Sequence, residues 1–259
     1  MDKQPEEGRS MNPHLLEVKD LVKTFGGIKA TDHLTLDVRE GELHAVIGPN
    51  GAGKTTFIAQ LSGMLKPTSG SIRFNGLDIT QLSTVERVKL GMARSFQITS
   101  LWPALTLLEN VMLAVQSRQG HSFRFWEKAT AAKSLREPSM QWLLRVGLLD
   151  KAGLPAHALS HGEQRQLELA VSLATEPQLL MLDEPMAGMG GEDSQRVVAL
   201  LRELKNSYTI LLVEHDMDAV FALADRISVL VYGKCIATGT PQEIRQNADV
   251  REAYLGVET

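Results

Sequence analysis

Nine residues, GPNGAGKTT at 48–56, constrain the possible folds of this chain more than any other stretch. They fit the pattern G-x-x-x-x-G-K-[ST] at every specified position, and they lie between the apolar run LHAVIG and the helix-like TTFIAQLSGML. Gly48, Gly51 and Gly53 let the backbone turn its N–H groups inward without obstruction by a Cβ. An anion there meets several donors and the positive end of a helix dipole. The set Gly48, Pro49, Asn50, Gly51, Ala52, Gly53, Lys54, Thr55 and Thr56 therefore reads as a phosphate cradle. Lys54 offers a charge to the β- and γ-phosphates of a nucleotide, and Thr55 a hydroxyl to Mg²⁺. A buried strand feeding such a loop and helix calls for an α/β sheet.

A metal-bound phosphate needs a carboxylate opposite. QLLMLDEP supplies one: the apolar Leu179–Leu182 reads as a buried strand that ends in Asp183 and Glu184. Ligands of open α/β sheets sit at this carboxyl edge. Acidic pairs also end many ordinary strands, but beside a phosphate loop Asp183 reads as the metal carboxylate. Glu184 is then the base for the attacking water.

The rest of the chain fits around this core. Strand-like pieces LLEVKDL and HLTLDV precede it, and Asn75-Gly76 in SIRFNGLDI signals a hairpin. Residues 98–158 are mostly helical in pattern, with Leu105, Leu108, Val111 and Met112 expected on one face. After 160, helix and strand alternate again through YTILLVEH and RISVLVYG, as in a mainly parallel sheet covered by helices. Residues 1–14 read as a disordered leader, 15–97 and 159–259 as the core, and 98–158 as a helical subdomain. Cys235 is expected to be a buried core thiol. No run of about eighteen apolar residues occurs, so membrane contact needs a partner. With 27 basic against 31 acidic residues, the net charge of -4 gives no footprint for nucleic acid.

A second stretch, LSHGEQRQLELA at 159–170, repeats the logic of the first. Leu167, Ala170, Val171 and Ala174 recur at helical spacing, which puts Ser160 at the N-cap with backbone N–H groups ahead of it. This reads as a second anion site. Two such sites of one sheet do not reach around one triphosphate, but two chains set head to tail can each lend the second site to the other's nucleotide.

These residues, in this order, resemble the ATP-binding subunits of ABC transporters over about 16–256. The ordered set is GPNGAGKTT, SFQ at 95–97, LSHGEQ at 159–164, LLMLDE at 179–184 and VEHD with His215. The resemblance implies a P-loop NTPase core with an N-terminal antiparallel part and a helical subdomain. It also implies roles for single residues. Phe25 stacks on adenine, although on its own an aromatic before Gly-Gly is more often core. Gln97 touches the metal beside the membrane partner, and His215 meets the γ-phosphate. Ser160, His161, Gly162 and Glu163 act in trans on the other subunit's ATP. This chain departs from the family pattern at His161 and Glu163, and at Gly190, where a D-loop aspartate is common.

LSHGEQRQLELA, EPMAGMG and the tail IATGTPQEIRQNADVREAYLG resemble the ATPases of hydrophobic (branched-chain) amino acid importers. Urea, short-amide and lipopolysaccharide-export ATPases share parts of this pattern, and soluble ABC ATPases without a membrane partner are the remaining alternative. The resemblance implies ATP and Mg²⁺ as ligands, a second ATPase subunit, two permease subunits and, indirectly, a solute-binding protein. It implies a peripheral place on the cytoplasmic face of a bacterial inner membrane. Leu101, Trp102 and Leu105 would line a groove for a short permease helix, an amphipathic-helix mode of recognition. Trp102 within the subdomain's own core is the alternative.

Overall fold

The computed structural model describes residues 14–95, 101–118 and 130–255. Strands β1 (His14–Phe25) and β2 (Ile28–Arg39) form a long hairpin. The chain continues through β3 (Leu43–Ile47) and helix α1 (Lys54–Leu61) into β4 (Ser69–Phe74) and β5 (Leu77–Asp78). The β4–β5 turn is the predicted Asn75-Gly76, both with positive φ, and Phe74 pairs with Leu77 across it. Helix α2 (Thr84–Lys89) and strand β6 (Met92–Arg94) follow, then the helices α3 (Leu107–Arg118) and α4 (Thr130–Arg145). The second half runs α5 (His161–Ala174), β7 (Leu179–Asp183), α6 (Gly191–Leu204), β8 (Thr209–Val213) and α7 (Met217–Leu223). It ends with β9 (Arg226–Val231), β10 (Lys234–Gly239), α8 (Pro241–Gln246), a short turn of helix over Ala248–Val250 and a π-helical turn over Arg251–Leu255.

The strands make two sheets, an antiparallel one in the order β2-β1-β4-β5 and a six-stranded one in the order β10-β9-β3-β8-β7-β6. In the larger sheet β9, β3, β8, β7 and β6 are parallel, and β10 adds an antiparallel edge. Alternation along these buried strands sorts their side chains into two cores. Leu43, Ala45, Ile47, Leu180, Leu182, Ile210 and Leu212 face helices α3 to α7. Val46, Leu179, Met181, Leu211 and Val213 face the other way, onto α1 and the antiparallel sheet through Phe57, Ile58, Leu61, Leu16 and Ile72. The phosphate-loop strand β3 thus lies inside the sheet, flanked by β8 and β9.

Three expectations shift. His14 is paired in β1 opposite Arg39, so the last residue of the stretch read as a leader belongs to a strand; residues 1–13 lie outside the described ones. The buried face of α3 is Leu107, Asn110, Val111, Ala114 and Val115, with Leu108 and Met112 only partly covered. The polar Asn110 is taken inward because its side chain bonds the backbone of Trp102, Leu105 and Thr106, which tips the face by one residue. Cys235 is half-exposed on the edge strand β10, where only alternate residues are covered, and its thiol contacts Ala237 O and Thr238 Oγ1.

Candidate functional site

The phosphate loop is built around close backbone approaches. Gly53 has φ 99°, and a Cβ there would lie 2.2 Å from the carbonyl oxygen of Ala30 in β2. At Gly48 a Cβ would lie 2.1 Å from the carbonyl oxygen of Leu230 in β9. The loop is tied down further by Gly233 N–H donating to Ala52 O at 3.0 Å and Asp32 N–H donating to Gly233 O at 2.9 Å. Helix α1 then starts at Lys54 with no side-chain cap and no acid in its first turn. Its leading N–H groups and dipole are left for an anion from outside.

Lys54 is largely buried and folds back over the loop, donating to Gly48 O at 2.6 Å and Pro49 O at 3.1 Å. Burial pushes its ammonium below the usual lysine range, while the Glu184 and Asp183 carboxylates pull it back up. The three charges predicted to act together therefore feel one another. The far end of α1 is finished by Arg87, a buried guanidinium that donates to the carbonyls of Gln60 and Leu61 at 2.7 Å and Thr80 at 3.1 Å. A cation suits this end of a helix. Burial holds Arg87 down to about 10, against the pull of Asp78.

Asp183 ends β7, paired with Val213 of β8, and Val46 of β3 also pairs with Val213. The loop after β3, the acidic pair after β7 and the segment after β8 thus share one sheet edge. Asp183 is 1% exposed, and burial raises its carboxyl above the usual range against the opposing pull of Arg94. Glu184 is half-buried and takes a φ of 49°, a strained region for a residue with a Cβ, with its N–H donating to Val213 O at 2.8 Å. Such strain clusters at functional sites. His215 is exposed, with Nδ1 3.6 Å from Glu214 Oε2. It borders a cleft with Met186, Gly188, Met189 and Ser194.

Glu214 organises this corner and was missed as a functional residue. Its carboxylate is fully buried and accepts the N–H groups of Met186 at 3.1 Å and His215 at 2.9 Å. It couples the segment after Glu184 to the segment bearing His215. Its place in VEHD was the available signal, but a lone acid after a buried strand does not tell its partner.

The second stretch sits elsewhere, at the start of α5. Ser160 is the N-cap as expected, but the end is not open. Glu163 Oε2 accepts from Ser160 N–H at 2.9 Å and from Ser160 Oγ at 3.0 Å, and Ser160 Oγ accepts from Glu163 N–H at 3.4 Å, a capping box. Lys151 pairs with the other oxygen, Glu163 Oε1, and this hydrogen bond chiefly holds the Glu163 carboxyl below its usual range. Gly162 is buried against Asp193, with Oδ2 3.0 Å from where a Cβ would stand, and His161 is exposed.

Phe25 is 51% exposed at the end of β1, with Lys23 Nζ 5.3 Å above its ring, so the reading as core gives way to an accessible aromatic face. Trp102 is 64% exposed, which overturns its placement in the subdomain core. Leu101 lines an apolar groove of about 180 Å³ with Val88, Met92, Val171 and Met181, bordered by Arg94 and Glu168. Leu105 is half-buried. Gln97 lies outside the described residues.

The profile of the ABC transporter family matches residues 31–187. The chain belongs to the ABC transporter family. A second profile, of branched-chain amino acid ATP-binding cassette transporters, matches the C-terminal residues 234–259. Among curated ABC proteins the chain is 40% identical to the high-affinity branched-chain amino acid transport ATP-binding protein LivG of Salmonella typhimurium, covering 95% of this chain and 99% of that one. It is 38% identical, with the same coverage, to the corresponding protein BraF of Pseudomonas aeruginosa. Among solved ABC structures it resembles an ATP-binding cassette in its ADP conformation, with TM-score 0.80 and 28% identity over 94% of this chain and 99% of that one. It also resembles a dimeric cassette in a post-hydrolysis state bound to ADP and phosphate, with TM-score 0.76 and 25% identity over 87% and 98%. ATP hydrolysis is the activity of the ABC cassette, and the fold described above is the cassette fold.

Proposed function

We propose that this chain is the ATP-hydrolysing subunit of an importer for hydrophobic, branched-chain amino acids. The observation that carries the substrate class is the C-terminal segment 234–259, which matches the branched-chain cassette profile, apart from the general match over 31–187. Two ATP molecules bind between two cassettes, a second copy or a homologous subunit, and closure of the pair drives two permease subunits that receive solute from a binding protein. Among the described residues no helix is long and apolar enough to cross a membrane. The cassette is accordingly read as peripheral, on the cytoplasmic face of a bacterial inner membrane, with the groove around Leu101 as the permease contact.

In this reading the phosphate loop and Lys54 hold the triphosphate, Phe25 stacks on the base, and Glu184 takes the proton of the attacking water. His215 meets the γ-phosphate, while Ser160, His161, Gly162 and Glu163 face the partner's nucleotide. The donors offered to a metal are hard oxygens, the Thr55 hydroxyl and the Asp183 carboxylate, which suits Mg²⁺ held by few protein ligands and by phosphates. Bound there, with Gln97 as a third ligand, Mg²⁺ would neutralise charge developing on the phosphate oxygens.

Affinity isolation of the tagged protein from native membranes in mild detergent, with mass spectrometry of what accompanies it, tests the reading. Two multi-span permease subunits and a second ATPase are expected. Recovery only from the soluble fraction would overturn the transport role and leave the ATPase chemistry standing.

A further inference from the structure

Arg94 ends β6 with its Cα paired to Met181, two residues before Asp183. Its Nη2 donates to Asp183 Oδ2 at 3.0 Å, while Nη1 reaches Ser62 Oγ and Met64 Sδ, each at 3.3 Å. The two side chains are only 8% and 1% exposed, so this is a buried ion pair. The other basic groups near Asp183 are engaged: Lys54 Nζ with the Gly48 and Pro49 carbonyls, and Arg165 with Glu168 at 3.1 Å. Glu184 adds a like charge next door. A buried carboxylate left without a counter-charge is strongly disfavoured, and a guanidinium at hydrogen-bond distance relieves this.

We propose that Arg94 is a positioning residue that holds Asp183 and competes with the divalent cation for that carboxylate. This rests on reading Asp183 as the metal carboxylate. Two cations then contend for one buried carboxylate, so the metal affinity of the nucleotide complex is lower than the bare site would give. Once the guanidinium charge is gone, Asp183 keeps, among the described residues, the charges of Arg165 and Lys54, neither hydrogen-bonded to it, and a metal at the carboxylate relieves its burial more directly.

The test is a Mn²⁺ titration of the full chain with ADP, followed by electron paramagnetic resonance, which needs no turnover. Arg94→Gln is expected to tighten Mn²⁺ binding on the order of tenfold, a usual coupling for contacting charges. Its affinity for ADP in chelator should equal that of the wild type, which a merely structural defect would not preserve. On an Asp183→Asn background the same change should add nothing. Unchanged or weaker Mn²⁺ binding by a folded Arg94→Gln chain would overturn the proposal. Should that variant not fold, Arg94→Lys serves instead: its shorter reach loosens the hold on Asp183, a smaller tightening is expected, and none would overturn the proposal. Asp183→Asn with Mn²⁺ affinity intact would strike the metal role of Asp183 itself.

Discussion

The two proposed anion sites of this cassette are built on the same element, a helix N-terminus, and finished in opposite ways. Helix α1 begins with no cap and no acid, and the residues ahead of it are pinned by backbone contacts to β2 and β9. Helix α5 begins with a closed capping box, a carboxylate on its own first turn and a lysine neutralising that carboxylate. The first end is therefore ready for a phosphate from solution. The second is satisfied while the subunit stands alone and gains from a phosphate only when a partner brings one. Under the proposed function, binding and sensing are divided between them: α1 would recruit ATP, and α5 would report that a neighbour has arrived with its own.

The comparison can be broken at several points. Largest, Glu184→Gln should keep nucleotide binding and lower ATP turnover by roughly 10²- to 10⁴-fold; unchanged turnover in a coupled-enzyme assay would remove Glu184 from the chemistry. Next, Gly53→Ala places a Cβ on the Ala30 carbonyl and should destabilise the protein by about 2–4 kcal/mol, with nucleotide affinity falling in parallel. Chemical denaturation showing wild-type stability would mean that the loop is not pinned as described. Ser160→Ala removes only the second site's cap, at about 1 kcal/mol of stability. It should leave the lone subunit's ATP affinity untouched by calorimetry and still reduce turnover about tenfold, the worth of a hydrogen bond to a charged group. Loss of ATP affinity in the isolated subunit would contradict the division of labour.

Glu163→Gln is the finest probe. A glutamine at this position keeps the capping box but removes a negative charge from the helix end. ATP-driven pairing should tighten by about two- to fivefold, from the 0.3–1 kcal/mol of a charge at a helix terminus. The pH dependence has a definite sign. Because the folded Glu163 carboxyl lies below its usual range, its small contribution is present above the unfolded pKa and is lost as pH falls through the folded one. Thermal melts from pH 6 to pH 3 should therefore decline more steeply for the wild type than for Glu163→Gln; equal slopes would mean that the Lys151 pair contributes nothing.

What was legible in the chain was local. The glycine spacing of 48–56, the Asn75-Gly76 turn, the apolar runs of β3, β7 and β8, and the Ser160 cap each depend on a few neighbouring residues, and each is present in the fold. What was not legible depends on partners far apart in sequence. Arg94 meets Asp183 across 89 positions, Glu214 meets Met186 across 28, and Arg87 reaches back to Gln60 across 27. In the text each is one charged residue among many, and only the order of the strands in the sheet brings the pairs together. The shift in the α3 face has the same origin, since Asn110 goes inward for backbone acceptors that periodicity does not register. The self-closure of the second site was nearly readable, because Ser160 and Glu163 carry the S-x-x-E spacing of a capping box. The contribution of Lys151 required the fold.

The most direct test of this division is the ATP-dependent association of the Glu184→Gln chain with a partner cassette, whether a second copy or the homologous subunit recovered with it, followed by light scattering. The account predicts pairing with ATP but not with ADP, and its loss when either Lys54 or Ser160 is replaced. ATP binding without pairing, or pairing that survives Ser160→Arg, would contradict it.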